Sequence, residues 1–335
     1  MAADPSVTPP ETPDIRASEG AMGADPRPEE LGGTVLFGDR RPDLRQLVEG
    51  ASRLLAEAGV PSPGHDARAL AALALGLPRL NPLLDHEILP SQAARFAEVV
   101  DRRRRREPLQ HIVGNTGFRY LTLSVEPGVF VPRPETEVVA QVAIAEALRR
   151  VAAGEVPLVV DLCCGAGGIA LSVATEVTGS RVIAVDLSLA AVQLTRRNAR
   201  AAGVGSLRLE QGDVADPDLL ADLNGHVAVV VSNPPYIPPH AVPQEPEVRD
   251  HDPDLALYGG GADGLDVPRA VARAAARLLA PGGLFVMEHA EVQAADAIAL
   301  ALDAGLAGPF TIDDLTRRPR AVVARRGLGP GEAPS

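Results

Sequence analysis

The apolar run Val227 to Val231 stops abruptly at Ser232-Asn233-Pro234-Pro235-Tyr236, and this junction limits the possible folds more than any other stretch. A short continuous apolar run bounded by turn residues reads as a buried strand, and open α/β sheets bind their ligands beyond the carboxyl ends of such strands. The residues at this end suit one task. The Asn233 side-chain oxygen can accept a hydrogen bond from an incoming N–H2 group, and the Pro234 carbonyl beside it can accept a second. Proline fixes φ and carries no competing N–H, so Pro234 and Pro235 hold the carbonyls in a preset geometry, while Tyr236 can lie against a flat amide or base. Four residues alone also fit a purely structural turn, so the choice rests on the rest of the chain.

Upstream, Leu158-Val159-Val160-Asp161-Leu162 reads as a strand, Cys163-Cys164-Gly165-Ala166-Gly167-Gly168 as a small-residue turn, and Ile169 to Ala174 as a helix. Small residues there let backbone N–H groups and a helix N-terminus approach a ligand closely. A second strand, Val182 to Val185, ends in Asp186, which either accepts from both hydroxyls of a ribose or caps the helix carrying Leu189, Val192 and Leu194. A third strand-like segment, Leu207 to Glu210, leads to Gly212-Asp213-Val214, where contacts to an adenine are expected. Strands alternating with helices favour a mostly parallel sheet with helices on its faces.

The chain has 335 residues, 46% of them hydrophobic, enough for two domains and a tail. Residues 1–40 are dominated by Pro, Glu, Asp, Ala and Gly and are expected to be disordered. From Leu44 the apolar residues recur at helical spacing (Leu47, Val48, Leu54, Leu55, then Ala67 to Leu77 and Ala93 to Val100), which predicts three or four short amphipathic helices over 41–107. The β-type residues between Leu109 and Val131 predict a hairpin linker over 108–134. A catalytic domain is expected over 135–326 and a flexible tail over 327–335. Two cysteines exclude a disulfide framework and suit a reducing cytoplasm. No apolar run reaches membrane-spanning length and no signal peptide is evident. A net charge of −12 argues against broad nucleic-acid binding. The arginine run Arg102 to Arg106 lacks interleaved aromatics, so a structural or protein-docking role is expected of it rather than direct RNA contact. Arg249-Asp250-His251-Asp252-Pro253-Asp254 looks superficially metal-like, but its place after Asn-Pro-Pro-Tyr favours a loop on the substrate side.

Taken in order, these motifs resemble the class I S-adenosylmethionine-dependent methyltransferases, and more narrowly the HemK/PrmC family of protein-(glutamine-N5) methyltransferases. The resemblance spans roughly Arg40 to Arg326 and includes Arg106 to Gly114, Val131-Pro132-Arg133-Pro134-Glu135-Thr136-Glu137, Asp263-Gly264-Leu265, Leu279 to Gly283, Glu288-His289-Ala290 with Gln293, and Asp314 to Arg320. It implies an α/β, Rossmann-like fold: a seven-stranded, mostly parallel sheet with an antiparallel final strand, a small N-terminal helical domain and a connecting β-hairpin. It implies S-adenosylmethionine as cofactor, held by Asp161, Cys163, Cys164, Gly165, Ala166, Gly167, Asp186, Asp213, Val214 and Asn233. Asn233, Pro234, Pro235 and Tyr236 are implied as the catalytic loop. One departure stands out: Cys163 replaces the first glycine of the Asp-x-Gly-x-Gly pattern, so the turn is not expected to use positive φ freely there. The adjacent cysteines are expected to pack inertly, and no metal site is expected.

The implied reaction is methyl transfer to the side-chain nitrogen of the glutamine in the Gly-Gly-Gln motif of class I peptide chain release factors, in the cytoplasm, with the helical domain docking the partner. No membrane contact and no direct nucleic-acid binding are expected. Three alternatives stand beside it. They are glutamine methylation of a ribosomal protein, methylation of an exocyclic amine of a nucleic acid, and a cofactor-binding protein that has lost turnover.

Overall fold

The structure, a computed structural model, describes residues 43–81 and 87–328; the expected tail over 1–40 lies outside them, as does that over 327–335 apart from Gly327 and Leu328. The described chain begins with α1 (Leu44–Glu57), α2 (Pro63–Leu75), α3 (Pro90–Arg104) and the short α4 (Leu109–Val113). Local chemistry sets their ends. The Asp43 side chain accepts from the Arg45 N–H at 2.9 Å to cap α1, prolines open α2 and α3, and Gly76 closes α2 in the left-handed region. Their apolar faces meet in a core of Leu55, Leu70, Phe96, Val99 and Ile112.

The hairpin follows as β1 (Asn115–Phe118) paired antiparallel with β2 (Leu121–Ser124). The expectation of β structure from Leu109 onward is corrected at its start, where α4 occupies five residues. Pro108 presets the entry and its carbonyl accepts from His111 and Ile112. Leu109 and Ile112 recur at i and i+3, so the face they share packs into the helical core.

Next come α5 (Thr136–Ala152), β3 (Leu158–Leu162), α6 (Gly168–Glu176), β4 (Arg181–Asp186), α7 (Leu189–Ala201), β5 (Arg208–Gln211) and β6 (Val227–Ser232). After the short α8 (Pro246–Arg249) and α9 (Asp254–Leu257), α10 (Asp266–Leu278), β7 (Leu279–Glu288), α11 (Ala294–Asp303), β8 (Leu306–Asp313) and β9 (Pro319–Arg326) complete the described chain. The seven-stranded sheet has the order β5-β4-β3-β6-β7-β9-β8. β9, the last strand in sequence, runs antiparallel to both neighbours, and β3, β4, β5, β6 and β7 pair in parallel.

Residues alternate across the sheet. Val159, Ala184, Val229 and Val231 pack on α5 and α6, while Val160, Leu162, Val230 and Phe285 pack on α10 and α11. Each fully buried side chain of this kind contributes about 1.5–3 kcal/mol. With both faces covered, the ligand-accessible edge is the carboxyl end of β3, β4 and β6, the switch point at which the strand order reverses.

Candidate active site

A cavity of about 340 Å³ opens at that edge, within the roughly 300–1,000 Å³ range of small-molecule sites. Its walls include Cys163, Cys164, Gly165, Ala166, Asp186, Asp213 and Val214 on one side and Asn233, Pro234, Pro235 and Tyr236 on the other. Two residues implied for cofactor binding stand behind the wall. Gly167, at φ 87°, closes the turn where a Cβ would come within 2.7 Å of Thr195. Asp161 is fully buried: its Oδ2 accepts from the Ala170 N–H at 3.0 Å and its Oδ1 has no partner among the described residues. Burial pushes its carboxyl up to about 8, so it holds its proton at neutral pH and anchors the first turn of α6.

The turn corrects one expectation. Cys163 adopts φ 63° despite its side chain, a conformation that costs a non-glycine residue about 1–2 kcal/mol. The surrounding contacts impose it. The Cys164 N–H is donated to the Val185 carbonyl at 3.0 Å, and the Gly165 N–H to Asp186 Oδ2 at 2.8 Å, so the chain that leaves the bend is tied to the end of β4. Both thiols are free and burial pushes both up, so neither is a thiolate nucleophile at neutral pH.

Asp186 does not cap α7. Ser188 does, its hydroxyl accepting from Ala191 at 3.3 Å, while Asp186 Oδ1 accepts from the Ser188 N–H at 2.8 Å. Each carboxylate oxygen thus takes one backbone donor and keeps a lone pair. Burial raises the Asp186 pKa, against the pull of the Gly165 and Ser188 N–H groups. A polyol lying in the cavity fits these spare acceptors, and Gly212, Asp213, Val214 and Leu187 bound the neighbouring wall.

The Asn233 loop is fastened from several directions. The Asn233 amide donates from Nδ2 to Thr136 Oγ1 at 3.1 Å, Thr136 donates to Glu288 Oε2 at 2.7 Å, and the Tyr236 hydroxyl donates to Glu288 Oε1 at 3.1 Å. Among the described residues Asn233 Oδ1 has no partner. The Gln293 amide donates to the carbonyls of Tyr236 at 2.9 Å and Asp263 at 3.3 Å. Gly264, at φ 77°, lies so close that a Cβ would be 2.5 Å from the Tyr236 carbonyl, which explains the glycine of Asp263-Gly264-Leu265. Burial pushes the Glu288 carboxyl up to about 7, although Thr136, the charge of Arg320 and Tyr236 all pull it down.

Residues 46–114 match the family described as PrmC N-terminal domain, and residues 121–245 match that described as Methyltransferase small domain. A release factor glutamine methyltransferase of Bifidobacterium longum is 43% identical over 293 residues, 84% of this chain and 99% of that protein. One of Streptomyces coelicolor is 49% identical, covering 84% of this chain and 97% of that protein. The chain belongs to the release factor glutamine methyltransferase family. Its fold is that of the class I S-adenosylmethionine-dependent methyltransferases. A further relative, a 4-amino-L-phenylalanine/4-methylamino-L-phenylalanine methyltransferase of Streptomyces pristinaespiralis, is 43% identical over 77% of this chain and 87% of that protein.

In this family member the arginine run is spoken for within the chain. Arg102 pairs with Glu107 at 2.5 Å, and Arg104 and Arg105 pair with Asp101 at the surface. Arg103 is buried and bridges Asp66 at 2.8 Å and Glu247 at 2.7 Å. Arg106 makes two bonds to Glu247, at 2.8 and 2.7 Å, and donates to the Ala58 and Gly59 carbonyls. Burial opposes ionisation of Glu247, but the guanidiniums of Arg106 and Arg103 outweigh it and hold the carboxyl at about 2. Glu247 sits on α8, whose next residue, Val248, lines the cavity.

The metal-like segment is engaged in the same way. Arg249 pairs with Asp250 at 2.7 Å, Asp252 with Arg133 at 2.5 Å, and the His251 ring stands edge-on to His111 at 6.4 Å. Pro253 and Leu255 then line the cavity. Sequence reasoning assigned no role to Thr136, Glu288 or Glu247. The first two lie inside the segments that carry the family resemblance, which is the only signal that could have found them.

Proposed function

We propose that this chain methylates the side-chain nitrogen of the glutamine in the Gly-Gly-Gln motif of class I peptide chain release factors. The observation that carries the reading is the Asn233 oxygen, without a partner among the described residues and followed by Pro234 and Pro235, in the same cavity as Asp186 and the glycine turn. The methyl donor is S-adenosylmethionine, which supplies an electrophilic methyl group when bound. Asp186 would hold its ribose, the turn from Cys163 to Ala166 its polar tail, and Asp213 and Val214 its base. An amide nitrogen is a poor nucleophile because its lone pair is delocalised into the carbonyl. Asn233 Oδ1 and the Pro234 carbonyl accept its two N–H bonds, which turns the nitrogen toward the donor and favours the positive charge that develops on it. Tyr236 walls the amide plane, the apolar lining excludes water, and the surplus proton leaves after transfer.

The helices α1 to α4 dock the partner, and α8 and α9 form the substrate-side rim. A substrate that works on the ribosome puts the reaction in the cytoplasm. No described helix is long and apolar enough to cross a membrane. Incubating the purified protein with labelled S-adenosylmethionine and, separately, a class I release factor, ribosomal proteins, RNA and 4-amino-L-phenylalanine tests the reading. Mass spectrometric location of the methyl group on the Gly-Gly-Gln glutamine is expected. Preferential labelling of any other acceptor overturns the assignment.

A further inference from the structure

We propose that Thr136 and Glu288 are positioning residues that lock the Asn233 amide with its oxygen facing the acceptor nitrogen. The proposal rests on the reading of Asn233 as the group that grips the acceptor. A threonine hydroxyl has one hydrogen to donate and two lone pairs, and an ionised carboxylate has only acceptors. Both Glu288 oxygens are engaged, Oε2 by Thr136 at 2.7 Å and Oε1 by Tyr236 at 3.1 Å. The one hydrogen of Thr136 is therefore committed to Glu288, and only lone pairs remain for Asn233. Only the NH2 end of the Asn233 amide can satisfy them, as it does at 3.1 Å. The oxygen must then point the other way. Thr136 and Glu288 are 5% and 3% exposed, so water does not compete for these contacts. A flipped amide would set its oxygen against the Thr136 oxygen and leave a buried acceptor without a donor.

The lock depends on the charge of Glu288. Once protonated, Glu288 can donate to Thr136, the Thr136 hydrogen becomes free for the amide oxygen, and both amide orientations are satisfied. Burial pushes Glu288 up to about 7, so this change falls near neutral pH. The groups that face it are Thr136 of α5, Tyr236 after β6, Arg320 of β9, which pairs with Asp314 at 2.9 Å, and the Glu135 charge before α5. Burial pushes the Tyr236 hydroxyl up, so it remains a donor throughout. The sign follows: the locked form predominates above pH 7 and is lost below it.

Three variants test the relay: Thr136→Val removes the hydroxyl at constant shape, Thr136→Ser restores it, and Glu288→Gln removes the charge. Each is read by turnover on the release factor, by cofactor affinity, and by the NMR signal of the Asn233 side-chain amide, assigned by its absence in Asn233→Ala. Thr136→Val should lower kcat about tenfold, the worth of one oriented hydrogen bond, with cofactor Kd unchanged, and Thr136→Ser should recover most of it. The wild-type kcat should rise with pH through a midpoint near 7, and the amide signal should move with the same midpoint; both responses should be flat in Glu288→Gln. A Thr136→Val enzyme with wild-type kcat and an unmoved amide signal overturns the proposal, as does a titration that persists in Glu288→Gln. If Thr136→Val fails to fold, the amide titration in wild type against Glu288→Gln decides alone. If the wild-type enzyme leaves the release-factor glutamine unmodified, the substrate assignment fails while the amide titration still judges the relay.

Discussion

Around Asp186 the cavity is held by backbone: the Gly165 and Ser188 N–H groups grip the carboxylate, and the turn from Cys163 to Gly167 is fixed by main-chain bonds from Cys164 to Val185 of β4 and from Gly167 back to Cys164. Around Asn233 it is held by side chains from distant segments, Thr136, Glu288 and Gln293, with Glu247 fastening the outer rim to Arg103 and Arg106. The first arrangement makes a rigid receptor that needs little from the rest of the molecule. The second makes a receptor whose geometry depends on how α3, α5, β7 and the loop after β6 come together. Damage to the first half should therefore appear as lost cofactor affinity, and damage to the second as lost turnover at full cofactor occupancy.

The largest effect is expected from Asn233→Ala. We expect turnover to fall about 10²-fold or more, by analogy with a deleted oxyanion-hole donor, while calorimetry finds the cofactor affinity of the wild type. A parallel loss of affinity would show that the two halves are not separate. Asp186→Ala should do the reverse. It removes a charge-assisted contact worth about 1.5–3 kcal/mol, or roughly one to two decades in cofactor Kd, and should leave the rate at saturating cofactor within a few fold of wild type. Unchanged affinity would confine Asp186 to holding the turn.

The same contrast explains what could be read from the sequence. The elements around the cofactor half are local: the apolar runs of β3 and β6, the small residues of the turn and the acidic end of β4 are each visible in a window of a few residues. Even so, the cap of α7 is Ser188 rather than Asp186, and the positive φ of Cys163 is set by neighbouring strands that the local sequence does not reveal. The acceptor half is non-local. Thr136 meets Asn233 across 97 positions and Glu288 across 152, and Arg103 meets Glu247 across 144. Periodicity carries no information about such pairs. The run Arg102 to Arg106 was legible as a helical charge run, but which two of its guanidiniums turn inward depends on where Glu247 lies.

Glu247→Gln tests the outer rim. It keeps an acceptor for the guanidiniums but removes the charge, at a cost of about 1.5 kcal/mol in stability. We expect a severalfold rise in KM for the release factor, with cofactor Kd unchanged. In the wild type this ion pair contributes stability above the ordinary glutamate range and loses it as the pH falls through about 2, so the acid limb of a melting-temperature profile should shrink in the variant. A KM equal to wild type would make the clamp purely structural.

The smallest effect is expected from Cys163→Gly. It relieves a left-handed cysteine at φ 63° but adds unfolded-chain entropy, so the net gain in stability should stay within about 1 kcal/mol. Cofactor affinity should not change. A clear destabilisation would mean that the thiol packs more usefully than the strain costs.

The most direct test of separate halves is a double-mutant cycle with Asn233→Ala and Asp186→Ala, read as kcat/KM for S-adenosylmethionine in the methylation of saturating release factor. Independent halves predict that the two losses add to within about 0.5 kcal/mol. A coupling of more than about 1 kcal/mol between them would contradict the account.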